Sequence, residues 1–88
     1  MLVIKRNGNI EEFDINKLRV SIINSADDIN FILTEGDINI LLNQIKKRLS
    51  ELTNDNRATS TYEIRGLVYH ALMNNGFKGI VKSYMKLI

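Results

Sequence analysis

The run Val3-Ile4-Lys5-Arg6-Asn7-Gly8-Asn9-Ile10-Glu11-Glu12-Phe13-Asp14-Ile15-Asn16-Lys17 decides how this chain is read. Asn7-Gly8 separates two short β-prone stretches. Asn-Gly is the strongest short-range hairpin signal, because a type I′ turn needs positive φ at both central residues. Asp14 then reads as a helix N-cap, its carboxylate able to accept a backbone N–H of the first turn. The stretch therefore predicts a tight hairpin running straight into a helix. Lys5 and Arg6 precede the turn and Lys17 opens the helix, a grouping of cations suited to a small polyanion. The plainer alternative for Lys5 and Arg6 is a solubilising hairpin tip that resists edge-to-edge aggregation.

Working outward, Leu18, Ile22, Ile23 and Ala26 recur at helical spacing, and Asp27-Asp28 oppose the dipole at that helix's end and predict fraying. Asn30 to Leu33 reads as a packed connection. Thr34 and Asp37 form a capping box for a second helix, whose stripe is Ile38, Leu41, Leu42, Ile45, Leu49 and Leu52. Asn54-Asp55-Asn56 is turn chemistry. Arg57-Ala58-Thr59 reads as a third strand shielding an edge of the hairpin. Ser60 and Glu63 form a second capping box, ahead of a helix bearing Ile64, Leu67, Val68, Ala71 and Leu72. Asn74-Asn75-Gly76 stops it with residues tolerant of left-handed φ. A last helix from Lys78 buries Ile80, Val81, Tyr84 and Leu87, with Met73 and Met85 filling gaps in the core. The fold class expected is α+β: a four-helix bundle capped by a small β-sheet, one domain over residues 1–88.

Composition narrows the function. With no cysteine, disulfides, thiolate metal sites and thiol catalysis are excluded. His70, the one histidine, has no partner suggesting a metal site and reads as a surface or interface residue. No nucleophile–base pair is evident, and Glu11-Glu12 and Asp27-Asp28 lack a convergent partner, so an enzyme is not expected. No apolar run approaches the ~20 residues of a membrane span, and no signal peptide precedes the first strand, so a cytoplasmic location is expected. The net charge of +2 is small for a dedicated DNA-binding face, and Tyr62, Tyr69 and Tyr84 are too dispersed for a base-stacking platform. Neither G-x-x-x-x-G-K-[ST] nor G-x-G-x-x-G occurs. A phosphate site here must therefore come from side chains and helix N-termini.

Three ordered segments carry a resemblance. The opening V-x-K-R-x-G-x-x-E-x-F-x-x-x-K, then Ser60-Thr61-Tyr62-Glu63-Ile64 with Leu67-Val68 and Ala71-Leu72, then Gly76-Phe77 with Val81-Lys82 and Tyr84 together resemble the ATP-cone. That is the small regulatory nucleotide-binding domain at the N-terminus of many ribonucleotide reductases and in a related transcriptional repressor. The likeness spans the whole chain. Its absence of cysteine sets it apart from the repressor branch, whose zinc ribbon needs paired cysteines. Val81 replaces the family's small alanine, and the sequence ends at Ile88, near where the family's closing Arg/Lys cluster is expected, which leaves phosphate contacts from that end open.

The resemblance implies a non-catalytic domain binding ATP or dATP, with Mg2+, and reporting the bound nucleotide through protein association. The partner implied is a ribonucleotide reductase subunit, in cis or in trans, or a second copy of the chain. Neither a membrane nor a nucleic acid is expected as partner. Lys5, Arg6, Lys17 and Arg65 are the candidate phosphate ligands, helped by the Thr61 hydroxyl and the backbone N–H groups of that helix start. Glu11 resembles the family's acidic contact to the adenine edge; a carboxylate suits an exocyclic amino group and disfavours a guanine carbonyl. Val3 and Leu18 are candidate purine contacts, or plain core. One geometric difficulty stands: an ideal two-residue hairpin pairs Lys5 with Ile10 and Ile4 with Glu11, putting Lys5 and Glu11 on opposite faces. Either the pairing is bulged or slipped, or the ligand reaches round the strand edge. Two rival functions are an interaction module that kept the fold but lost nucleotide binding, and a small nucleic-acid-binding regulator.

Overall fold

A computed structural model describes residues 1–53 and 57–86. Among these the chain forms β1 (Leu2–Ile4), β2 (Ile10–Glu12), α1 (Ile15–Asp28), α2 (Glu35–Leu52), β3 (Thr59–Ser60), α3 (Thr61–Asn74) and α4 (Lys78–Lys86). The architecture is α+β, four helices and a three-stranded mixed sheet. The expected turn at Asn54-Asp55-Asn56 and the burial of Leu87 lie outside the described residues.

The sheet order is β2-β1-β3: β1 pairs antiparallel with β2 and parallel with β3. The third strand thus exists and covers one edge of β1, but over Thr59–Ser60 rather than Arg57–Thr59. The hairpin departs from the two-residue turn. Val3 pairs with Glu11 and Ile4 with Ile10. Lys5 O accepts from Gly8 N at 3.0 Å, and Lys5 N donates to Asn9 O at 2.7 Å. Gly8 alone takes positive φ in this loop, +87°, while Asn7 does not. This is a three-residue loop, Arg6-Asn7-Gly8, with Gly8 in the left-handed position that follows a type I turn. Asn7 contributes its side chain instead, Oδ1 accepting from Asn9 N at 3.0 Å. The slip by one residue moves Glu11 to the face that Val3 and Lys5 share.

The helices begin and end for legible reasons. Asp14 caps α1 by accepting from Asn16 N, and Thr34 and Asp37 exchange both bonds of their capping box. The end of α1 is closed rather than frayed. Asn30 adopts φ +57°, with its N–H on Asp27 O and the Phe31 N–H on Ala26 O. α3 ends in the same way, with Gly76 at φ +83°, its N–H on Met73 O and the Phe77 N–H on Leu72 O. Both are Schellman ends. The residues just beyond them, Phe31 and Phe77, meet edge-on with ring centroids 5.7 Å apart.

The core is a bundle in which α1 packs on α4, α2 on α3, and α3 also on α4. Ile22, Leu41, Leu49, Val68 and Leu72 are wholly buried. Three expectations fail at the edges. Leu52 and Met85 lie at the surface, and the connection after α1 is packed only in part, through Phe31 against Phe77 and through Leu33, with Ile32 88% exposed. Ser25 sits in the core because its hydroxyl donates to Ser21 O at 2.9 Å. Among the described residues no helix is long and apolar enough to cross a membrane.

Candidate nucleotide site

One cavity gathers the residues singled out in the sequence. It holds about 210 Å³ between the hairpin, α1, α3 and α4. Val3, Lys5 and Glu11 come from the hairpin, Lys17 and Leu18 from the first turn of α1, and Thr61 and Arg65 from the start of α3. Each arrives there for a local reason. The three-residue loop sets Val3, Lys5 and Glu11 on one sheet face. The Asp14 cap fixes where α1 starts, so Lys17 and Leu18 project from its first turn. β3 carries the chain beside β1 and into α3, which brings Thr61 under Ile4: the Thr61 hydroxyl lies 3.5 Å from Ile4 O. Val3 and Leu18 are buried in the fold and also line the cavity.

Arg6, the eighth candidate, is not on the cavity wall. The loop places its guanidinium carbon 5.9 Å from the centre of the Tyr62 ring. Arg65, on the wall, lies at the same distance from that ring.

The wall is electrostatically divided. Lys5 Nζ is 3.3 Å from Glu11 Oε2 across the paired strands, which settles the difficulty raised by the ideal hairpin. Glu12 meets the N-terminal ammonium at 3.3 Å, and Asp14 is engaged in capping α1. Among the described residues Lys17, on α1, and Arg65, on α3, have no ion-pair partner. The start of α3 adds its helix dipole there.

Sequence reasoning missed Tyr84 as a lining residue, having read it as structural. It is both, 7% exposed and bordering the cavity. Burial pushes its phenol above the ordinary range, opposed by the nearby Arg65 charge. Tyr84 therefore stays a neutral hydroxyl beside the cations. Phe13, Ser21 and Ile64 also line the cavity without a motif to mark them.

The Ser60–Glu63 box is half formed. Ser60 Oγ accepts from Glu63 N at 3.1 Å, but the Glu63 carboxylate turns to the Thr59 hydroxyl at 2.6 Å and Arg57 at 3.0 Å. Those bonds hold its carboxyl below the ordinary range, the Thr59 hydrogen bond first and Arg57 second, against the opposing effect of burial. Glu63 thereby ties β3 to α3 behind the cavity. His70 is exposed on α3, its ring edge-on to Tyr69. Among the described residues no cluster of three His, Cys, Asp or Glu side chains could hold a metal ion.

A family model described as the ATP cone domain matches residues 1–87. The chain belongs to the ATP-cone family. ATP cones are regulatory, non-catalytic nucleotide-binding domains whose effectors are ATP and dATP. No curated protein matches this chain in a sequence comparison.

Proposed function

We propose that this ATP cone binds ATP or dATP, with Mg2+ on the phosphates, in the hairpin cavity and transmits the bound state by changing a protein–protein contact. The observation that carries this reading is convergence. Seven of the eight candidates, drawn from the hairpin and the adjoining α1 at one end of the chain and from the distant start of α3, line one cavity. At about 210 Å³ it is smaller than the roughly 300–1,000 Å³ of sites that enclose a drug-sized ligand. It suits a purine, with the polyphosphate left at the mouth.

In this arrangement Val3 and Leu18 flank the purine and Glu11 accepts from its amino group. Lys5, Lys17 and Arg65 meet the phosphates, with Arg6 beyond them. The Thr61 hydroxyl and the first turn of α3 complete the anion surface. Lys5 and Glu11 pair with each other in the free protein, so nucleotide entry exchanges one ion pair for two ligand contacts. An exposed pair of this kind is worth only ~0–1 kcal/mol, a small barrier to that exchange. The partner whose association responds is a ribonucleotide reductase subunit, in cis or in trans, or a second copy of this chain. A regulator of this type acts through the difference in nucleotide affinity between its associated and dissociated states.

Titration calorimetry with ATP, dATP and GTP, beside a sizing measurement, tests the proposal. Binding of the adenine nucleotides with GTP excluded is the expected result. Saturation at ~100 times the dissociation constant should add roughly 2.7 kcal/mol of stability. Lys5→Ala with Arg6→Ala should weaken ATP binding at least tenfold while the fold stays intact. Absence of any nucleotide-dependent stabilisation favours an interaction module that has lost its ligand.

A further inference from the structure

We infer that Tyr62 is a positioning residue for the polyphosphate, its ring gathering Arg6 and Arg65 at the cavity mouth. The inference rests on the nucleotide reading above and concerns a residue outside the cavity wall. Tyr62 is 63% exposed, so burial does not explain an aromatic residue at this position. The Arg6 and Arg65 guanidinium carbons each lie 5.9 Å from its ring centroid, within reach of a cation–π attraction. The two arginines come from separate elements, one from the hairpin loop and one from α3. Tyr62 and Arg65 are three apart on that helix and so are surface neighbours. Both guanidiniums are held no further apart than twice their distance to the ring.

Two like charges drawn to one ring repel each other, and the electron-rich π system of the ring offsets part of that repulsion. An anion arriving at the mouth offsets the rest. Arg65 already borders the cavity beside Lys5 and Lys17, so a ring-held Arg6 extends the basic wall outward from it. Guanidinium forks match phosphate oxygens two at a time, and their benefit grows with the number of phosphates the ligand carries. The contribution of Tyr62 should therefore scale along the series AMP, ADP, ATP, whereas a ring that stacked on the base would contribute equally to all three.

Calorimetric titration of the whole chain and its Tyr62→Ala and Tyr62→Phe variants with AMP, ADP and ATP decides this. Tyr62→Ala should weaken ATP binding by about five- to tenfold through loss of both cation–π contacts, weaken ADP less, and leave AMP within about twofold. Tyr62→Phe keeps the ring face and should restore the wild-type ATP affinity. Unchanged melting temperatures for both variants would show that the fold is not the cause. An ATP affinity unaltered by Tyr62→Ala, a uniform loss across the series, or failure of Tyr62→Phe to rescue would each overturn the inference while wild-type ATP binding stood. A wild-type chain that bound no adenine nucleotide would remove the underlying reading and this inference with it.

Discussion

The hairpin end and the α2 flank solve opposite problems. α2 commits Ile38, Leu41, Leu42, Ile45 and Leu49 to the interior, and Leu41 and Leu49 are completely covered. The two hairpin strands bury only Val3; Leu2, Ile4 and Ile10 remain 47%, 43% and 61% exposed. The hairpin is instead held by backbone pairing to β3 and by the polar groups behind it. Buried apolar packing is therefore concentrated in one part of the molecule and the charged lining of the candidate cavity in another. On the proposed function, a substitution at the hairpin end should alter binding with little effect on folding, and the reverse should hold along α2.

The largest effect should come from Leu41→Ala. Removing a fully buried leucine side chain costs about 2–5 kcal/mol, depending on how far the surroundings collapse. Chemical denaturation checks it, and a loss below about 1 kcal/mol would contradict the placement of the core on this helix. Next comes Thr59→Val, which keeps the shape of a buried residue and deletes its hydroxyl. The Glu63 carboxylate then loses a 2.6 Å donor, at about 1–3 kcal/mol for a hydrogen bond to a charged group. The pH dependence is the sharper readout. A carboxyl depressed by folding contributes stability that is complete above its unfolded pKa and is lost as pH falls through its folded value. The gap between wild type and Thr59→Val should thus be widest near neutral pH and narrow as the solution is acidified below the ordinary carboxylate range. A gap constant with pH would mean that Glu63 is not the group coupled to Thr59.

The same contrast governs what the sequence disclosed. The α2 stripe was legible because its apolar spacing repeats at the helical period over several turns, and only Leu52, at the last turn, escaped burial. The hairpin was legible as an element but not in register. Asn-Gly permits two- and three-residue loops, and with a side-chain period of two, one residue of slip exchanges the faces. The slip here places Lys5 with Glu11 and carries Arg6 into the loop, away from the cavity wall and toward Tyr62. The Ser60–Glu63 box failed because a local motif says nothing of Thr59, which competes for the same carboxylate. The sequence marked Tyr84 as an interior tyrosine, but that a cavity opens against it depends on how four elements meet.

Gly8→Ala probes the loop directly. No atom lies within 4 Å of where the new Cβ would stand, so crowding contributes nothing and the cost is that of φ +87° alone. Roughly 1 kcal/mol is expected, a fall in melting temperature of about 4–8 °C in a domain of this size. If the hairpin shifts register to relieve the strain, the Lys5–Glu11 pair parts and ATP affinity falls with stability. If it holds, stability falls alone. Either result shows how firmly the loop, rather than the sheet behind it, sets the face on which Glu11 stands.

The smallest effect expected is that of Ile10→Thr, and it is informative because it should do almost nothing. Ile10 pairs with Ile4 on the sheet face opposite Val3 and Glu11. Threonine keeps the β-branch that suits a strand, so stability should change by no more than about 0.5 kcal/mol. ATP affinity should not change, since neither Ile10 nor its partner Ile4 lines the cavity. A clear loss of affinity in this variant, with unaltered melting, would place the ligand round the strand edge rather than within the hairpin cavity. It would also mean that the exposed isoleucines belong to the binding surface, so that the division between a stabilising flank and a binding end runs between the two faces of the sheet.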